Sequence, residues 1–163
     1  MPTIRQSLTA SLTRRYPFYS GRARFANSRF VQGLAGPGAE AVWARVPGGE
    51  VLARLDDFLG RTAFYVGDID GKLTWICSRI VRPGDTVLDI GANIGTVTIW
   101  LSALVGEKGK VHSFEPNPTA HKALQLLIER NKSANICLHP VALGEEEGSL
   151  DLVIPPTDRK SVV

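Results

Sequence analysis

Two acidic residues and a pair of glycines have types and spacing that could do chemistry in this sequence. Asp89 lies in an apolar, β-branched run at residues 86–90, and Gly91 and Gly95 follow in a Gly-x-x-x-Gly turn. Glu115 closes the next predicted strand along the chain, residues 110–114. Glycines let a ligand approach the backbone closely, and carboxylates bind cations or hydroxyl groups. The pattern indicates a crevice for a ligand that carries both a positive charge and hydroxyl groups.

The elements that must position these residues alternate between strand and helix. Apolar periodicity predicts strands at residues 86–90, 110–114 and 136–141, with helices at residues 94–104 and 120–131 between them. We expect Asn93 to cap the first of these helices and Gly106 to end it. Alternating strands and helices predict an α/β fold with a parallel sheet. Right-handed crossovers then bring the glycine turn and Glu115 together at the carboxyl ends of neighbouring strands.

The charge of the crevice distinguishes between two classes of nucleoside ligand. Dinucleotides use Gly-x-Gly-x-x-Gly to bring an anionic pyrophosphate to a helix start, whereas Asn93 replaces the second glycine here. The Asp89 carboxylate also disfavours a pyrophosphate. S-adenosylmethionine presents an ammonium and a sulfonium that suit Asp89, and Glu115 can accept hydrogen bonds from both ribose hydroxyls. The sequence therefore predicts S-adenosylmethionine as the cofactor.

Each of these residues also has a purely structural interpretation. Gly91 and Gly95 can serve only a tight turn and close helix packing, Asp89 can cap a helix, and Glu115 can end a strand at the surface. An acid before a glycine turn and a second acid one strand later occur together less often than either does alone. Their combination favours the cofactor interpretation.

The region before the first strand of the sheet reads as a hairpin and a helix. Residues 42–46 and 50–55 flank a Pro-Gly-Gly turn and predict two short strands. Apolar residues at helical spacing predict a helix over residues 69–80, which the RPGD turn at residues 82–85 ends. The glycine-rich run at residues 33–38 predicts a flexible joint. We therefore predict a basic extension at residues 1–40 and a main domain at residues 41–163.

The extension is rich in arginine and contains no acid before Glu40. Such a segment can be a transit peptide, a surface for nucleic acid or membrane, or a solvated extension, and the last is our expectation. Aromatic residues interleave with the arginines, as they do in a platform for single-stranded nucleic acid or in a segment that docks on its own domain. The net charge of +3 is modest, so we expect no nucleic-acid partner.

Metal and membrane functions find little support in the sequence. Cys77 and Cys137 are far apart within apolar stretches and are expected to be ordinary buried thiols, and the three histidines are scattered. We predict no metal site. No apolar run reaches the length of about 18 residues that a spanning helix needs, and the start lacks the apolar block of a secretory signal. We expect a soluble, cytoplasmic protein.

Two motifs give this sequence a family resemblance. VLDIGANIG at residues 87–95 and FEPNP at residues 114–118 resemble the FkbM-type methyltransferases, and the likeness extends from about Val42 to Ile154. It implies a Rossmann-like class I methyltransferase fold that uses S-adenosylmethionine. It also implies O-methylation of a hydroxyl on a sugar, glycolipid or polyketide-like acceptor.

The resemblance assigns roles to individual residues. The turn around the methionine part of the cofactor would be formed by Asp89, Gly91, Ala92, Asn93 and Gly95. Glu115 would hold the ribose. Ala142 and Leu143 would lie near the adenine, and Asp70 matches a position where the family often carries an acid. No catalytic residue is assigned.

The family pattern continues beyond the point where this sequence stops. The resemblance leads us to expect a further strand with an acidic motif facing the methyl group, so we expect only the first half of the sheet here. Losing the residues that align the acceptor would remove most of the rate. The alternative function is thus an inactive fragment that only binds S-adenosylmethionine or acts as an interaction module. An open sheet edge would also favour self-association, unless the hairpin covers it.

Overall fold

The computed structural model describes residues 1–15, 21–38, 40–149 and 151–152. Three helices precede the hairpin, and they are α1 (Ile4–Arg14), α2 (Arg22–Ala26) and α3 (Arg29–Ala35). Thr3 caps α1 in a capping box with Gln6, and Ser28 accepts the Val31 N–H at the start of α3. Of the aromatic residues noted in this region, Tyr16, Phe18 and Tyr19 lie outside the described residues.

The hairpin forms as predicted. Strands β1 (Ala41–Val46) and β2 (Gly49–Arg54) pair antiparallel, from Ala41 opposite Arg54 to Val46 opposite Gly49. Helices α4 (Phe58–Tyr65) and α5 (Gly71–Ile80) follow, and Asp57 and Asp70 cap them with their side chains.

The remaining described elements build the α/β part of the chain. They alternate as β3 (Thr86–Ile90), α6 (Thr96–Val105), β4 (Lys110–Phe114), α7 (Pro118–Asn131) and β5 (Ile136–His139). The sheet order is β3-β4-β5, and both pairings are parallel. The predicted fold class, a Rossmann-like parallel sheet flanked by helices and preceded by a small hairpin, is confirmed.

The hairpin packs on the helical layer and not on the free edge of the sheet. A Cβ at Gly48 would lie 2.5 Å from the Ile99 carbonyl oxygen of α6, and the Asn131 side chain of α7 bonds the backbone N–H and carbonyl of Glu50. Within the described residues β3 pairs only with β4, so its other edge is unpaired. Self-association through that edge stays a prediction.

The N-terminal region differs from the flexible extension that its composition indicates. Gly33 lies inside α3, and Thr13 Oγ1 donates to the Tyr65 carbonyl at 2.6 Å. Ala10, Val31 and Ala35 join the same hydrophobic core as Ile99 and Val111. The expectation of a flexible joint at residues 33–38 is thus corrected for residues 33–35, because burial of Val31 and Ala35 outweighs the low helix propensity of Gly33. The domain division near residue 40 stays a prediction.

Two local features also differ from prediction. Asn93 does not cap α6, because Gly95 occupies the N-cap position with φ +85° and provides no side-chain hydrogen bond. Strand β5 ends at His139, two residues before the predicted end. In the part of the chain described, no helix is long and apolar enough to cross a membrane.

Candidate functional site

The glycine turn joins β3 to α6 and is bound to the end of the neighbouring strand. Gly91 and Asn93 have positive φ angles of 79° and 48°. The N–H groups of Gly91 and Ala92 both donate to the Phe114 carbonyl, at 3.0 and 3.1 Å. The turn is therefore held against the carboxyl end of β4, where Glu115 follows directly.

The two glycines of the turn serve different purposes. A Cβ at Gly95 would lie 2.6 Å from Leu124 Cδ2 and 2.6 Å from Leu127 Cδ1, so Gly95 lets α6 start directly against α7. A Cβ at Gly91 would have no atom within 4 Å. Gly91 thus leaves open space beside the backbone, as a residue that a ligand approaches would do.

Glu115 ties together the loops that follow β3 and β4. Its side chain is buried, with Oε2 accepting the Asn93 N–H at 2.8 Å and Oε1 accepting the Asn117 N–H at 2.8 Å. The Glu115 N–H donates to the His139 carbonyl at the end of β5. An ionised carboxylate has about four acceptor positions, so two remain for hydroxyl groups of a ligand.

A short chain of two hydroxyl groups supports the Asp89 side chain. The carboxylate is 9% exposed, and Thr98 Oγ1 of α6 donates to Asp89 Oδ2 at 2.5 Å. Ser113 Oγ of β4 donates in turn to Thr98 Oγ1 at 3.3 Å. Sequence reasoning missed Thr98 and Ser113. The available signal was a hydroxyl residue at an inward position of a mostly apolar helix and of the neighbouring strand.

The environment of Asp89 disfavours its charged form. Burial raises the pKa of the Asp89 carboxyl above its ordinary value, and the nearby Glu115 charge raises it further, whereas the Thr98 hydroxyl opposes both. The pKa of the Cys77 thiol on α5 is raised by burial and by the charge of Asp89. Cys77 is buried, as predicted, whereas Cys137 on β5 is only half-buried, contrary to prediction. Two acidic groups, Asp89 and Glu115, therefore lie close enough at this end of the sheet to affect each other.

No cationic side chain neutralises this charge within the residues that the structure describes. The ion pairs found there are Arg54 with Asp56 and Arg130 with Glu50, both away from the turn. Two nearly buried carboxylates at adjacent strand ends thus lack a basic partner. A buried charge is costly without such a partner, so the pair suits a cationic ligand.

Three other residues named from the sequence lie around this end of the sheet. Ala142 and Leu143 follow β5 in an exposed segment, with Leu143 half exposed. Asp70 caps α5 and lines a small cavity of about 40 Å³ together with Thr96 and Val97 at the start of α6. The structure joins Asp89, the turn and Glu115 through direct hydrogen bonds or charge coupling, and places these three at the periphery.

The chemistry of these groups fits S-adenosylmethionine. The carboxylates without ion-pair partners suit its ammonium and sulfonium, the remaining acceptor positions of Glu115 suit ribose hydroxyls, and the space beside Gly91 is open. The turn N–H groups of Gly91 and Ala92 already bond Phe114. Because these two N–H groups are already occupied, the turn contributes the shape of its backbone to the site, and not hydrogen-bond donors from Gly91 and Ala92.

Comparisons with known proteins point to the same class. A family model described as the methyltransferase FkbM domain matches residues 89–162. The chain is 32% identical over 91 residues to the 31-O-demethyl-FK506 methyltransferase FkbM of Streptomyces tacrolimicus, covering 55% of this chain and 34% of that protein. It is 33% identical over 70 residues to the ribosomal RNA large subunit methyltransferase E of Bdellovibrio bacteriovorus, covering 43% and 33%.

A solved structure shares the fold. The complex of aTrm5 with tRNALeu matches with a TM-score of 0.50 and 19% identity, over 70% of this chain and 32% of that one. At this identity the likeness shows the fold alone. Because that protein was solved with a tRNA, and another relative is named for ribosomal RNA, the expectation of no nucleic-acid partner gains no support.

The aligned regions span about a third of the two relatives' length. The methyltransferase match confirms S-adenosylmethionine as the cofactor that the sequence predicted. The resemblance seen in the two sequence motifs is likewise confirmed, because the FkbM domain model matches residues 89–162 and one relative is an FkbM methyltransferase.

Proposed function

We propose that this chain binds S-adenosylmethionine at the carboxyl ends of β3, β4 and β5 and belongs to an enzyme that methylates a hydroxyl group. The observation that carries the proposal is the pair of nearly buried carboxylates, Asp89 and Glu115, without a cationic side-chain partner in the described residues. In this arrangement Asp89 faces the methionine part of the cofactor, and Glu115 accepts the ribose hydroxyls.

The turn and the exposed segment after β5 complete the proposed site. Gly91, Ala92, Asn93 and Gly95 shape the backbone around the methionine part, and Ala142 and Leu143 cover the adenine. When bound, the cofactor supplies an electrophilic methyl group on its sulfonium. The acceptor oxygen must meet that carbon in line with the breaking carbon–sulfur bond and must lose its proton to a base. We assign no residue of this chain as that base.

Small hydroxylated compounds are the proposed acceptors. The relative from S. tacrolimicus is named for O-methylation of FK506, which supports a sugar, glycolipid or polyketide-like acceptor. Ribosomal RNA is a second candidate, supported by the 33% identical relative from B. bacteriovorus. Transfer of a radiolabelled methyl group to hydroxylated macrolides and sugars, compared with transfer to ribosomal RNA, distinguishes the two. Cofactor binding with transfer to neither acceptor would favour the binding-only alternative.

Isothermal titration of S-adenosylmethionine tests the cofactor site. We expect Asp89→Ala and Glu115→Ala each to weaken binding about 10- to 100-fold, since a hydrogen bond to a charged group contributes about 1.5–3 kcal/mol. Glu107→Ala is the matched control, because Glu107 is exposed in the turn before β4 at the opposite end of the sheet. It removes the same charge and should bind as the unaltered chain does.

The outcomes separate cleanly when folding is checked by circular dichroism. Unchanged affinity in folded Asp89→Ala and Glu115→Ala would show that the ligand binds elsewhere. A folded, unaltered chain that does not bind S-adenosylmethionine would refute the proposed site.

A further inference from the structure

Helix α1 exposes its large apolar side chains to solvent and buries mostly polar ones, which is the reverse of a usual surface helix. Its outward face carries Ile4, Leu8 and Leu12, which are 80%, 61% and 62% exposed. We call these three residues the α1 apolar stripe. Their spacing of four residues puts them on one side of the helix. Large aliphatic side chains at such exposure gain nothing from the core of this protein.

The inward face of α1 is polar and satisfied. Gln6, Thr9 and Thr13 are buried, and the two threonine hydroxyls donate to backbone carbonyls, including that of Tyr65 on α4 at 2.6 Å. The orientation of α1 is therefore fixed by specific hydrogen bonds across to α4. A simple rotation that buries the stripe would break them.

A neighbouring helix adds apolar surface. Helix α3 packs against α1 and exposes Phe30 and Leu34, at 70% and 42%. The side chain of Arg5 lies near Gly36 at the end of α3, so α1 and the end of α3 are in contact there. Exposed apolar side chains on two helices that are in contact are typical of an interaction surface.

The charge of this region has one sign. Residues 1–39 contain six arginines and no acidic residue. Arg14 has a structural role, since it donates to the carbonyls of Phe64 and Arg45, and burial lowers its pKa. The side chains of four other arginines are exposed, namely Arg5, Arg15, Arg24 and Arg29.

We propose that the α1 apolar stripe docks into the interfacial region of a membrane that contains anionic lipids. Exposed aliphatic side chains beside arginines match the acyl boundary and the anionic headgroups of such a surface. Single-stranded nucleic acid would instead need stacked aromatic platforms, and the stripe is entirely aliphatic. The surface is distinct from the proposed cofactor site and would bring the enzyme to acceptors at a membrane.

Sedimentation with vesicles tests the proposal. We expect the chain to bind phosphatidylcholine vesicles that contain phosphatidylserine, and to bind pure phosphatidylcholine vesicles more weakly. Binding should fall as salt is added, because the arginine contribution is screened. The triple variant Ile4→Gln, Leu8→Gln and Leu12→Gln should lose binding at least about tenfold, since apolar burial supplies much of the affinity.

A matched control removes equally exposed apolar side chains elsewhere. Trp75, Ile76 and Ile80 on α5 are 60%, 46% and 66% exposed. Their replacement by glutamine keeps a good helix former at exposed positions and should leave vesicle binding unchanged. Circular dichroism confirms that both triple variants fold.

A second set of variants separates lipid from nucleic acid. Replacing Arg15, Arg24 and Arg29 by glutamine should lower binding to the anionic vesicles while leaving the fold intact. Binding that survives loss of the stripe, or that is lost only in the α5 control, would overturn the proposal. So would tight binding of single-stranded RNA that depends on the arginines and not on the stripe, without binding to vesicles.

Discussion

The two faces of the three-stranded sheet have opposite surroundings although the same strands supply both. On the face toward α6 and α7, Val111 and Ser113 are fully buried and Asp89 is 9% exposed. On the other face, Leu88 and Ile90 are 58% and 63% exposed. Strand β3 has apolar residues on both sides, which is typical of parallel strands covered twice. In the part of the chain described, the sheet is covered once.

The covered face of the sheet provides most of its packing and also positions Asp89. The covered face contains the packed side chains of α6 and α7 and the hydroxyl chain that positions Asp89. The open face shows a stack of His112, Phe114 and His139 rings, with the two imidazoles 3.0 Å apart between Nδ1 and Nε2. Most of the packing energy of the sheet must therefore come from one side.

The largest expected effect compares the same substitution in the two environments. Leu127 of α7 is fully buried against the covered face, so Leu127→Ala should lower the free energy of unfolding by about 2–5 kcal/mol. Leu88→Ala on the open face should change it by less than about 0.5 kcal/mol. Urea denaturation followed by circular dichroism measures both. Equal losses would mean that the open face is covered in solution.

A smaller effect is expected from the two glycines of the turn. Gly95→Ala combines a positive φ with Cβ contacts of 2.6 Å to two leucines, and should cost about 2–4 kcal/mol. Gly91→Ala meets no neighbouring atom and should cost only the backbone term, about 1–2 kcal/mol.

Ligand titration sharpens the comparison of the glycines. Gly91→Ala should weaken S-adenosylmethionine binding more than its small effect on unfolding suggests, because the new methyl group occupies the open space of the crevice. A Gly91→Ala variant with normal affinity would place the ligand away from this turn.

The smallest expected effect is on the pH dependence of stability, and it comes from Asp89 on the covered face. Burial raises the pKa of folded Asp89 above its unfolded value of about 3.9, so the folded state keeps the proton to higher pH. Stability from this group is thus greatest below the unfolded pKa and falls as pH rises toward the folded pKa. Asp89→Asn should lack this decline and should be more stable than the unaltered chain at neutral pH. A parallel pH dependence in both proteins would contradict it.

How well the sequence predicts a helix or strand depends on how strongly the residues of that element determine its own conformation. The bounds of β3 and β4 agree with the sequence prediction, because β3 is a β-branched, apolar run that ends at Gly91 and β4 is followed by Glu115 and Pro116. Helices α1 and α3 were not predicted. Their inward faces are short or polar, and α1 places its apolar stripe outward, so periodicity gave no guide to a docked helix.

The sequence alone determined the order of strands and helices from β3 to β5, the glycine turn and the two acids at neighbouring strand ends. These depend on local periodicity and on glycine, whose conformational freedom is a property of the residue itself. Only the tertiary structure decided that Asn93 gives its backbone N–H to Glu115 instead of capping α6, and that Thr98 and Ser113 support Asp89. Those contacts join residues 9 to 22 positions apart, and packing of separate elements, which local sequence does not encode, brings them together.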